Sequence, residues 1–143
     1  MSLDELYKEV ILDHYRSPRN KRALSDATVS LKKNNPLCGD EITIHARVED
    51  GTVTEIAFEG SGCSISQASA SMLTENVSGK SIQGAGSLAS EFRSMMEGKA
   101  DPDEDEFGDL MALKGVVKYP VRIKCAVLGW DALQEALEQS PSR

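Results

Sequence analysis

The sequence predicts an α+β fold, a small antiparallel sheet of about three strands with helices packed on one face. Three observations carry that prediction. Ile42, Ile44, Ala46 and Val48 alternate with polar residues, and Asp50-Gly51 then turns the chain into a return run holding Val53, Ile56 and Phe58, which is the pattern of a β-hairpin. Apolar residues recur at helical spacing in residues 3–11 and in further segments after Gly62. No repeat or linker-like stretch divides the 143 residues, so 1–143 is expected to form one domain in which the later helices cover the hairpin sheet.

Each element has its own signal. Ser2 and Glu5 have capping-box spacing, Leu3, Leu6, Tyr7, Val10 and Ile11 share one helical face, and Ser17-Pro18 ends the run. A basic connector with Arg19, Lys21 and Arg22 leads to a short strand over 27–31, then to a polar stretch through Asn34-Asn35-Pro36. Within the hairpin, the step from Val53 to Ile56 breaks the two-residue period and predicts a bulge. Residues 64–77 read as a helix rich in small side chains, with Cys63 at its N-terminus. Leu88, Ala89, Phe92, Met95 and Met96 fit another helix, 101–106 an acidic loop, and 110–113 a short helical piece. Pro120 suits the first turn of a last helix ending near Gln139.

Composition narrows the function. With 40% hydrophobic and 27% charged residues the chain is that of an ordinary globular protein, and 143 residues are enough for a real core. Its net charge of -7, from 23 acidic and 16 basic residues, opposes a nucleic-acid partner, because phosphate binding needs clustered Lys and Arg. Residues 1–10 have neither a basic start nor a long apolar run, so no secretory signal or membrane span is expected and the cytoplasm is the expected location. Three cysteines are an odd count and a poor disulfide framework there, which leaves metal binding, thiol chemistry or plain burial.

Four residues have the chemistry of a metal site. Cys38 and Asp40 flank Gly39 in a loop before the hairpin, where glycine permits a tight turn with both side chains toward one ion. Cys63 enters from the hairpin's far end at a helix start, whose amide groups favour a thiolate. On the last helix the main apolar stripe is Ile123, Ala126, Trp130, Leu133 and Leu137, whereas Cys125 shares a second face with Val121, Leu128 and Ala132. Thiolate and carboxylate suit a tetrahedral zinc ion, and thiolate suits iron in clusters. Spacing alone leaves open that each cysteine is a small buried hydrophobe.

Other signals dissolve on inspection. Gly60-Ser61-Gly62 lacks the third glycine of a dinucleotide loop, Gly79-Lys80-Ser81 lacks the first glycine of a P-loop, and Asp101, Asp103 and Asp105 lack the glycine and final acid of a calcium loop. His14 and His45 are expected to be structural or surface residues.

Four motifs nevertheless run through the chain: H-Y-x-x-P-R-N at 14–20, N-P-L-C-G-D at 35–40, G-S-G-C-S-I-S-Q-A-S at 60–69, and R-I-K-C-A at 122–126. With them the sequence resembles the U-type iron-sulfur cluster assembly proteins, the IscU/SufU family, over almost its whole length. The resemblance implies an IscU/SufU-like fold and makes Cys38, Asp40, Cys63 and Cys125 the metal or cluster ligands. Lys124 stands where scaffold members carry histidine, Tyr119-Pro120-Val121-Arg122 replaces their chaperone-recognition motif, and the interval from Cys63 to Cys125 is long. These departures resemble the SufU subgroup, which implies a zinc site and sulfur transfer from a cysteine desulfurase onto Cys38. The expected partners are that desulfurase and downstream sulfur or cluster acceptors. Assembly of an iron-sulfur cluster at the same residues, and a zinc-stabilised interaction module without chemistry, are the alternatives.

Overall fold

The computed structural model describes residues 3–37 and 39–139. Ser2, the expected cap of the first helix, and Cys38 lie outside the described residues. Helix α1 (Leu3–Arg16) precedes three strands, β1 (Val29–Asn35), β2 (Asp40–Glu49) and β3 (Thr52–Ser61), paired antiparallel in the order β1-β2-β3. Helices α2 (Ser64–Val77) and α3 (Ile82–Met96), the single turn α4 (Glu104–Phe107), a run of 3-10 turns (Gly108–Lys118) and the long helix α5 (Pro120–Gln139) complete the chain. The α+β architecture expected from the sequence is the one observed. Among the described residues no helix is long and apolar enough to cross a membrane.

The hairpin follows its pattern. Ile42, Ile44 and Ala46 of β2 and Val53, Ile56 and Phe58 of β3 are buried on one sheet face, because alternate residues of a strand point the same way. Asp50 and Gly51 form the turn with positive φ at both positions, as a two-residue hairpin requires. The bulge is real: Arg47 faces Glu55 while Val48 faces Val53, so Thr54 is the extra residue. His45 lies on the other face between Ser30 Oγ (2.7 Å) and Glu59 Oε1 (2.8 Å).

Several boundaries differ from expectation. Strand β1 begins later than 27 and continues through Asn34 and Asn35, since pairing of Asn35 with Asp40 across the loop satisfies backbone groups that polar side chains alone do not advertise. Helix α3 starts already at Ile82, capped by the Ser81 hydroxyl on the Gly84 amide, despite Gly84 and Gly86. Residues 104–107 of the acidic segment form a helical turn capped by Asp103, and the short piece at 110–113 is part of an eleven-residue 3-10 run. On α1 the apolar face is shallower than its pattern suggests: Tyr7, Val10 and Ile11 pack on the core, but Leu6 is exposed.

The core lies between the sheet and the helices. Phe92 stacks on Trp130 with ring centroids 4.7 Å apart, fixing α3 against α5. Trp130 Nε1 donates to Ser69 Oγ (3.1 Å), which donates to the Ala126 carbonyl (2.6 Å), so α2 and α5 are joined by a fully buried hydrogen-bonded link. That link sets the helix carrying Cys63 against the helix carrying Cys125.

Candidate metal centre

Three elements deliver one ligand-type side chain each to a common corner. Asp40 is the first residue of β2, Cys63 is the N-cap of α2, and Cys125 lies in the second turn of α5. One carboxylate oxygen and the two sulfurs lie within 4.8 Å of one another. Asp40 and Cys125 are fully buried and Cys63 is half-buried.

The corner is built by main-chain constraints. The Cys63 amide donates to Asp40 Oδ1 at 2.8 Å, which orients the carboxylate and leaves Oδ2 facing Cys63 Sγ at 3.9 Å. Cys63 Sγ itself accepts from the Ser66 amide at 3.5 Å, a thiol used as a helix N-cap where amide dipoles favour negative charge. Gly62 makes this approach possible. It has φ +148°, and a Cβ there would stand 2.2 Å from Asp40 Oδ1 and 3.0 Å from Asp40 Cα. Gly39, at φ +73°, gives the loop before Asp40 its left-handed turn, as the tight turn predicted.

Cys125 faces the corner rather than the main apolar core, as its second-face position on the helix implied. The face is not uniform, however: Leu128 and Ala132 are buried while Val121 is exposed. Cys125 Sγ lies 3.8 Å from the Val121 carbonyl one turn back.

Arg122, which the sequence placed only within the R-I-K-C-A motif, is coupled to the two sulfurs in the structure. Its guanidinium is pushed further toward the charged form, first by the charge of Cys63 and then by hydrogen bonding to Cys125. The signal available beforehand was its position three residues before Cys125, one helical turn away on the same side. Lys124 is exposed. Asn35, paired with Asp40, was likewise missed: it is only 6% exposed and its Nδ2 has no hydrogen-bond partner.

His14 also enters a group of ligand-type atoms, with Glu75 and Asp109. It is fully buried, so it is structural and not a surface residue. Its Nδ1 meets Ser71 Oγ at 2.8 Å and its Nε2 meets Asp109 Oδ2 at 3.1 Å. Beside it, the Arg19 amide donates to Ser71 Oγ and Asn20 Nδ2 donates to Thr74 Oγ1. The first motif therefore ties α1 to α2.

A family model described as the NifU-like N-terminal domain matches residues 6–143. The chain belongs to that family. Among its relatives, the zinc-dependent sulfurtransferase SufU of Bacillus subtilis is 48% identical over 95% of this chain and 92% of its own length. The iron-sulfur cluster assembly scaffold protein IscU of Streptococcus pyogenes is 42% identical over 96% of this chain and 86% of its own. A solved structure assigned to the SUF-system scaffolds, from Fervidobacterium islandicum, superimposes with a TM-score of 0.86 at 32% identity, covering 95% of this chain and 99% of the other. The NifU-like fold and the U-type motifs thus point to one family.

Proposed function

We propose that this protein takes part in iron-sulfur cluster assembly as a zinc-dependent sulfur acceptor, receiving persulfide sulfur from a cysteine desulfurase onto Cys38. The observation that carries the reading is the convergence of Asp40, Cys63 and Cys125 from three separate elements. Donors on one tetrahedral zinc ion stand roughly 3.5–4 Å apart, given Zn–S bonds of about 2.3 Å. A separation within 4.8 Å therefore closes onto zinc with small side-chain movements. Two sulfurs and one oxygen fit that ion, and Cys38, two residues from Asp40, is the proposed fourth ligand. Bound zinc keeps thiols deprotonated without redox chemistry of its own.

The chain's residues then divide the work. Asp40, held by the Cys63 amide, and Cys125, held in α5, maintain the corner. The Cys38 thiolate attacks the outer sulfur of the desulfurase's cysteine persulfide. A sulfur–sulfur bond forms on Cys38 as the donor's sulfur–sulfur bond breaks, the donor cysteine leaves as its thiolate, and no external electrons are needed. Downstream sulfur or cluster acceptors then receive the sulfur. In the second reading, favoured by the scaffold name of relatives such as the Streptococcus pyogenes protein, the same residues hold an iron-sulfur cluster as cargo.

Cys38→Ala tests the first reading. Desulfurase turnover is expected to lose its stimulation by this protein, and full stimulation by the variant would remove Cys38 as acceptor. A visible-range cluster chromophore after anaerobic reconstitution with iron and sulfide would support the scaffold reading.

A further inference from the structure

The two cysteine sulfurs of the described residues stand close enough to react with each other and not only with a metal. Cys63 Sγ and Cys125 Sγ lie within 4.8 Å, although α3 and the 3-10 run separate their helices in sequence. A disulfide needs its sulfurs about 2 Å apart, so one of them must turn toward the other. The two sides are unequal in this respect. Cys125 is fully buried inside α5, and the link from Trp130 through Ser69 to Ala126 fixes that helix against α2. Cys63 stands outside the helical turns, as the N-cap of α2 with extended backbone, and is half-buried. Its sulfur lies 3.5 Å from the Ser66 amide and 3.9 Å from Asp40 Oδ2 and Ser66 Oγ. Turning the Cys63 side chain exchanges those contacts for a covalent bond. The main-chain bond from the Cys63 amide to Asp40 Oδ1 does not depend on that rotation.

Exposure divides the chemistry between the two sulfurs. A solute oxidant meets half-buried Cys63 first, with buried Cys125 within reach behind it, which is the arrangement of an attacking cysteine beside a resolving one. We propose that in the metal-free protein Cys63 and Cys125 form a reversible disulfide on exposure to hydrogen peroxide. The Cys63 thiolate attacks the peroxide; a sulfur–oxygen bond forms, the oxygen–oxygen bond breaks and hydroxide leaves. Cys63 is thereby oxidised by two electrons to the sulfenic acid. The Cys125 thiol then attacks that sulfur, a sulfur–sulfur bond replaces the sulfur–oxygen bond, and the thiol proton departs with the hydroxyl as water. A dithiol reverses the bond by two exchanges. The disulfide withdraws two of the corner's three ligand-type atoms at once, so it controls whether a metal can enter. The step uses neither Cys38 nor the sulfur-acceptor reading.

The test takes the full chain, freed of metal by a chelator, through a small excess of hydrogen peroxide, blocking with iodoacetamide in denaturant, and trypsin. Cleavage after Lys33, Arg47, Lys80 and Lys124 puts Cys38, Cys63 and Cys125 on separate peptides, so each pairing has its own mass. The Cys63–Cys125 crosslink is expected as the main product and is expected to disappear with dithiothreitol. It is expected to form at least about tenfold faster than in the same protein unfolded in urea, where the intervening chain must close by chance. Cys125→Ser is expected to stop at the Cys63 sulfenic acid, trapped by dimedone, and Cys63→Ser to leave Cys125 unoxidised. A main product that joins either residue to Cys38, or joins two molecules, overturns the proposal, as do equal rates in buffer and urea. Zinc added before the peroxide is expected to suppress the crosslink. An unchanged rate with zinc refutes zinc binding at this corner and not the cysteine pair.

Discussion

Two corners of the molecule each gather three ligand-type side chains within 4.8 Å, yet they are chemically opposite: Asp40, Cys63 and Cys125 in one, His14, Glu75 and Asp109 in the other. In the histidine corner both ring nitrogens have short partners, and Arg19 Nε lies 3.9 Å from Glu75 Oε1. Its ligand capacity is already spent on internal bonds and its carboxylates are exposed. In the cysteine corner the sulfurs lie 3.5 to 3.9 Å from Asp40 Oδ2, the Ser66 amide and the Val121 carbonyl, while the carboxylate and one sulfur are buried. Proximity of ligand types does not distinguish the two. Softness and burial of the donors do.

The sharpest way to break this contrast is to load both corners' variants with zinc. Cys63→Ser and Cys125→Ala are each expected to reduce zinc bound after purification from about one equivalent to a small fraction, because three ligands cannot hold a closed tetrahedral site. His14→Gln with Asp109→Asn is expected to leave zinc unchanged while lowering the melting temperature, since it removes a buried hydrogen-bonded tie. Zinc loss in the histidine variant, measured by metal analysis, would reverse the assignment.

Next in size is Gly62→Ala. Its Cβ would overlap Asp40 Oδ1 at 2.2 Å, at a φ of +148° that side chains rarely adopt. Backbone strain of this kind costs about 1–3 kcal/mol. The variant is expected to lose that stability in denaturant titration and to bind zinc at least tenfold more weakly in competition with a chelator, a factor that about 1.4 kcal/mol supplies. Gly115→Ala, with open space around the new Cβ, is the control expected to leave zinc affinity unchanged.

How much of this was legible beforehand differs between the two corners. The hairpin announced itself through period-two alternation and Asp50-Gly51, and the α5 pattern placed Cys125 off the main stripe. What pattern could not supply was convergence, because Cys63 and Cys125 are brought together by the α2–α5 link through Ser69, Ala126 and Trp130, and Asp40 joins them through the Cys63 amide, neither of which has a local signature. The family motifs implied a ligand set where spacing left the cysteines open. Within those motifs the supporting residues stayed hidden: Gly62 is needed because of Asp40, a residue 22 positions away, and Asn35 is defined by a cross-strand partner. The reach of β1 was underestimated for the same reason, since Asn34 and Asn35 are strand residues only in the presence of β2.

A smaller effect is expected at Arg122, whose charge faces Cys63 and Cys125. In zinc-free protein this exposed cation draws an anionic reagent to the sulfurs, so Arg122→Gln is expected to slow alkylation of Cys63 by iodoacetate roughly several-fold while leaving the rate with neutral iodoacetamide unchanged. An unchanged iodoacetate rate would make Arg122 a solvated charge.

The smallest expected effect tests whether the histidine corner is independent of the metal. Asp13 pairs with Arg19 at 2.7 Å, and that hydrogen bond, followed by the Arg19 charge, holds the Asp13 carboxyl below the usual carboxylate range. A carboxyl lowered in the folded state adds stability above its unfolded pKa and loses it as the pH falls through the lowered value. Asp13→Asn is therefore expected to melt slightly below the parent at pH 7, with the difference vanishing once both are acidified beyond the carboxylate range. The pair is exposed, so the shift is small. Zinc content at pH 7 is expected to be identical in the two proteins, because Arg19 and Asp13 act on the attachment of α1 and not on the cysteine corner; a pH-7 zinc deficit in Asp13→Asn would show that the two corners are coupled through α2.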